Sequence, residues 1–201
     1  ALFAFLVVGG TMAWFTSNPE EVKNTFTAGT VKIGVKEEFE APKNWNPGDT
    51  TKKDVNIEVE SSKQTYVRVL LTPKWEDING APLANDFVSI EFAEPSYWVD
   101  EAGNPVSGVI NINEIEGYYY YTKIVTSENS PLHLIDEVKF LGESTIEEKQ
   151  DQNKYQGATF TLTVKAEAVQ ASHKAYKDVW ELDSLPEGVE LWQDPNATPE
   201  E

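Results

Sequence analysis

Apolar and polar residues alternate with a period of two along most of the chain. Val31, Ile33 and Val35 alternate with Lys32, Gly34 and Lys36, and Val55, Ile57 and Val59 alternate with Asn56, Glu58 and Glu60. That period is the signature of a half-buried strand. A further strand at Tyr66–Thr72 places Val67, Val69 and Leu71 on one face. Shorter stretches follow at Val88–Phe92, Tyr97–Val99, Tyr118–Val125 and Val138–Leu141. The clearest pattern comes at Thr159–Ala168. There Phe160, Leu162, Val164, Ala166 and Ala168 share one face, and Thr159, Thr161, Thr163, Lys165 and Glu167 share the other. About eight such segments, separated by Gly, Pro, Asn and Ser turns such as Pro47-Gly48, predict an all-β fold: a jelly-roll-like antiparallel β-sandwich with one core. Helical spacing is confined to Glu143–Gln152 and Ala171–Leu182. In the latter, Tyr176, Val179 and Trp180 share a side.

The start of the chain breaks the alternation. Residues 1–8 are uniformly apolar and run into Gly9-Gly10. Such a run is what the back half of a secretory signal looks like, with Thr11-Met12-Ala13 as its cleavage site. As a helix, eight residues span about 12 Å and fifteen about 22 Å, short of the roughly 30 Å of a bilayer core, so no stable membrane span is expected. As a strand, the same eight residues reach about 26 Å, and the absence of alternation is that of a strand covered on both faces. A terminal strand of this kind can fill a gap in a neighbouring sheet. This second reading makes Leu2, Phe3, Phe5, Leu6, Val7 and Val8 a polymerisation interface and Gly9 and Gly10 its hinge. The chain then divides into a donor strand and hinge at residues 1–15, a sandwich at 16–183 and an acidic, Pro-containing tail at 184–201. The tail is expected to pack through Leu191 and Trp192 at most.

Composition narrows the function. A formal charge of −18 argues against nucleic acid and anionic lipid as partners, since both require Lys and Arg to neutralise phosphate. Cysteine is absent from the 201 residues, which excludes disulfides, thiol catalysis and cysteine-ligated metals. His133 and His173 are forty positions apart and neither has a second His at i, i+4, so no zinc motif forms. Glu147-Glu148-Lys149-Gln150-Asp151 lacks the spacing of a calcium loop. The Tyr118–Tyr121 run is expected to send two rings to each face as cross-strand packing. Asn196-Ala197-Thr198 matches a glycan acceptor, though Pro199 follows it.

Three stretches together resemble the TasA/camelysin family of exported filament proteins: Val8-Gly9-Gly10-Thr11-Met12-Ala13-Trp14-Phe15, Asn24-Thr25-Phe26-Thr27-Ala28-Gly29-Thr30-Val31 with Pro47-Gly48-Asp49 downstream, and Gln152-Asn153-Lys154-Tyr155-Gln156-Gly157 with Glu167-Ala168-Val169-Gln170. Trp75 to Leu141 carries no such likeness. The resemblance implies a secreted jelly-roll subunit that polymerises head-to-tail with itself at the cell surface or in a matrix, and the missing catalytic motifs lead to the expectation of no enzymatic activity and no cofactor. The resemblance also puts the start of the mature chain near Ala13. A secreted metal-dependent protease or other hydrolase and a monomeric surface adhesin are the rival readings.

Overall fold

The computed structural model describes residues 7–14, 31–39, 48–141, 152–155 and 157–195. Alternation becomes strand in each place where the pattern is long. The strands are β1 (Val7–Trp14), β2 (Val31–Phe39), β3 (Thr50–Ser61), β4 (Thr65–Glu76), β5 (Pro82–Leu83), β6 (Val88–Phe92), β7 (Trp98–Val99), β8 (Val109–Asn111), β9 (Tyr118–Tyr121), β10 (Leu132–Phe140) and β11 (Thr159–Gln170). They form two antiparallel sheets. One has the order β1-β11-β4-β9-β7 with β5 attached to β4, and the other the order β2-β3-β10-β6-β8. From β6 to β11 every strand lies in the sheet opposite its predecessor, so the chain laces the two layers together. The result is the all-β sandwich that the periodicity predicts.

The inward residues of both sheets make one core. Phe160, Leu162, Val164, Ala166 and Ala168 of β11 are completely buried in it, as are Val55, Ile57, Val69, Ile90 and Val138. One end is closed by aromatic rings. Trp75 packs against Tyr155 at 5.0 Å, Phe160 at 5.2 Å and Phe140 at 5.7 Å, and its indole nitrogen donates to the Asp86 carbonyl at 3.0 Å. This arrangement satisfies the polar edge of the ring while its faces are buried.

The strand predicted at Val138–Leu141 begins six residues earlier. Leu134 and Ile135 are both buried, and the register of β10 against β3 shifts on either side of Ile135. This bulge sets two successive residues inward and so erases the period of two. β5 and β8 are too short to show a period at all, and β9 ends at Tyr121 rather than Val125. The helix expected over 171–182 is shorter too. A 3₁₀ turn at Ser172–Lys174 leads into α1 (Ala175–Val179), because His173 and Lys174 take left-handed angles, φ 59° and 54°, that interrupt the helix. The helix expected at 143–152 lies outside the described residues, apart from Gln152.

A third layer covers the outer face of the first sheet. Tyr66, Tyr120 and Val169 on that face pack against Ala175, Tyr176 and Trp180 from α1 and its exit, and against Leu185 and Val189 beyond. The expectation for the tail is therefore corrected. It packs through Leu185 and Val189, Trp192 is half-buried, and Leu191 is 67% exposed. Gly103, at φ +85°, lets the turn after β7 approach this layer. A Cβ there would stand 2.7 Å from the Cβ of Glu187 and 2.8 Å from its backbone nitrogen. Gly103→Ala is therefore expected to lower stability by about 1–3 kcal/mol, combining backbone strain with displacement of the tail. Urea unfolding followed by circular dichroism would measure it, and an unchanged midpoint would count against the close approach.

Candidate functional site

β11 is held on both sides. All twelve of its residues pair with β4, from Thr159 opposite Glu76 to Gln170 opposite Thr65. On its other side β1 pairs antiparallel, with Val7 opposite Ala168, Val8 opposite Glu167, Gly9 opposite Ala166, Gly10 opposite Lys165 and Trp14 opposite Thr161. Among the described residues, β1 is thus the edge strand of its sheet. Of the residues expected to carry assembly, Val7 and Val8 open this strand, and Gly9 and Gly10 lie within it rather than beyond its end. Leu2, Phe3, Phe5 and Leu6 lie outside the described residues.

Beside this edge is a charged cluster that no sequence motif announces. Glu167 is 2% exposed. Arg68, from β4, donates to its carboxylate through Nε at 2.8 Å and pairs with it through Nη2 at 2.7 Å, both on Oε2. The other oxygen receives Lys165 Nζ at 2.7 Å and the Tyr118 hydroxyl at 3.1 Å. Arg68 also donates to the Tyr120 hydroxyl at 3.3 Å and lies over two rings, Tyr118 at 3.8 Å and Trp180 at 4.6 Å. Burial pushes the Glu167 carboxyl up, but hydrogen bonds and charge from Lys165 and Arg68 outweigh it and hold the group below the usual carboxylate range. The same bond raises Lys165. A sequence signal existed, for Arg68 is the chain's single arginine and sits between Val67 and Val69 in an apolar strand. An arginine there must find partners or exclude the strand from a covered sheet.

The tyrosine run divides as alternation requires, yet both halves are covered. Tyr119 and Tyr121 enter the main core and Tyr120 the outer layer. Burial raises Tyr121 to about 12.

Residues 1–91 match the family described as camelysin metallo-endopeptidase. Over this stretch the chain is similar to that family. The camelysin match takes in β1 to β5 and all but the last residue of β6, whereas β11, which receives β1, lies beyond it. No curated protein matches the chain.

The camelysin description implies a metal, so the side chains must be tested against one. A catalytic zinc takes three protein ligands and an open position. Among the described residues, no group of three His, Cys, Asp or Glu is placed to supply them. The two histidines are on opposite sides of the sandwich. His133 is exposed on β10 with Nδ1 2.6 Å from Asn56 Oδ1, and His173 lies against Trp192 outside the other sheet. The described residues therefore do not fit a metal centre. Asn196 to Thr198 and the acidic stretch 147–151 lie outside them. Among the described residues, no helix is long and apolar enough to cross a membrane.

Proposed function

We propose that this chain is a structural subunit of an extracellular filament, polymerised by exchange of its first strand between copies. The observation that carries the proposal is the position of β1, the edge strand of its sheet among the described residues, laddered onto β11 over eight residues. Removing such a strand leaves one side of β11 with open backbone groups, which are costly beside a buried face. A second copy can restore them with the same residues in the same register. Because donor and acceptor are different surfaces, the contact is head-to-tail and propagates without closing. The camelysin match supports a surface or matrix protein and an exported one. Leu2, Phe3, Phe5, Leu6, Val7 and Val8 are proposed to extend the donated segment, with Gly9 and Gly10 giving it the freedom to leave its own domain.

Gly9 and Ala166 face each other in the ladder, and directly opposed residues in an antiparallel pair are within the span of a disulfide. In a chain without other cysteines, Gly9→Cys combined with Ala166→Cys can lock β1 onto its own β11. Oxidised protein purified as monomer should remain monomeric, and reduction should release fibre growth, seen by electron microscopy and light scattering. Equal fibre growth from the locked monomer would overturn the proposal. Deletion of residues 1–14 should likewise give chains that fold but form no fibres.

The family description favours a second reading as a metal-dependent peptidase. Casein hydrolysis that persists through repeated purification and is lost with chelator would support it.

A further inference from the structure

The end of the sandwich below the third layer carries a groove of about 370 Å³, lined by Lys63, Gln64, Gln170, Ser172, His173, Trp192, Asp194 and Pro195. We propose that it binds a neutral pyranose glycan, with Trp192 as the stacking platform. Two bonds fix the indole before any ligand arrives. Its backbone nitrogen donates to the Tyr66 hydroxyl at 2.8 Å, and its ring nitrogen donates to Gln64 Oε1 at 2.9 Å. A ring held this way loses little further freedom on binding.

His173 is drawn to the same place at a cost. It and Lys174 are consecutive non-glycine residues in the left-handed region, each unfavourable by about 1 kcal/mol or more. Their turn sets the imidazole parallel to the indole, with centroids 6.0 Å apart and an angle of 25°. Among the described residues, no hydrogen bond engages the His173 ring. Around the two rings are the groups that pair with vicinal hydroxyls. Gln64 and Gln170 each offer an amide donor and acceptor, and Ser172 Oγ accepts from Gln170 Nε2 while keeping its own proton to give. Lys63 and Asp194 oppose each other in charge, so the lining favours an uncharged ligand over a phosphate or a sulfate. The volume is that of a small-ligand site and too small for a folded partner. This inference does not rest on strand exchange and holds for a monomer or a fibre.

Saturation-transfer NMR and calorimetry with cellotetraose and chitotetraose test it on the full chain. Saturable binding of one of these sugars, with a dissociation constant on the order of 1 mM, is expected. It should weaken about tenfold or more in Trp192→Ala. His173→Asn, which tolerates the left-handed angle, should weaken it by about threefold and keeps the test valid where the tryptophan variant is unstable. No saturation by either sugar at about 20 mM would overturn the proposal, as would unchanged affinity in both variants.

Discussion

Leu162→Asp should leave the chain unfolded at room temperature. Leu162 is completely buried at the middle of β11, the strand that β1 and β4 both need. Truncating a buried leucine costs about 2–5 kcal/mol, and an unpartnered carboxylate adds several more. Against a total stability of about 5–15 kcal/mol, little or nothing remains. One position along, Thr163 faces the other way and is half-buried, opposite the exposed Thr72 of β4. Thr163→Asp should therefore cost less than about 1 kcal/mol. Circular dichroism and urea melts distinguish the two, and equal sensitivity at both sites would mean that the facing of β11 is wrong.

Arg68→Ala should cost about 3–5 kcal/mol, because it strands the buried Glu167 carboxylate with Lys165 and Tyr118 as its remaining partners. Some of the loss comes from the contacts over Tyr118 and Trp180. Glu167→Gln should be destabilising too, and its effect should depend on pH. The folded carboxyl is depressed, so its contribution is complete above the unfolded value of about 4.3 and disappears as pH falls through the folded one. The gap in stability between parent and Glu167→Gln should thus be widest near neutrality and shrink as the solution is acidified below about pH 4. A gap independent of pH would show that Glu167 is not charged in the fold.

What could be read in the sequence follows from where burial is one-sided. β2, β3, β4 and β11 each show the period of two, and the inward set on β11 is the one that alternation selects. The outer layer was not legible for the same reason. Glu167 belongs to the polar face of β11 yet is buried, because Arg68 joins it to Tyr118 and Trp180, and a covered face crossed by ions and hydroxyls reads as a solvated one. Leu185 and Val189 sit singly in an acidic, Pro-containing stretch that reads as tail. The β10 bulge hides a strand by setting Leu134 and Ile135 inward together. At the candidate site, Val7 and Val8 of the strand expected at 1–8 lie in β1, and the rest of that stretch lies outside the described residues. The Arg68 cluster went unread because its members are 99 positions apart in the chain and meet only when β4 pairs with β11.

The layered cover also sets an order of opening. β4 and β11 have the core on one side, the third layer over part of the other and a paired strand along each edge, whereas among the described residues β1 has a neighbour on one edge within its sheet. Segments with the fewest buried neighbours open at the lowest free energy, and doubly covered strands open only with the whole domain. In the exchange proposed above, β1 detaches while the strand that holds it remains formed, so the vacancy it leaves is a rigid mould rather than a melted edge.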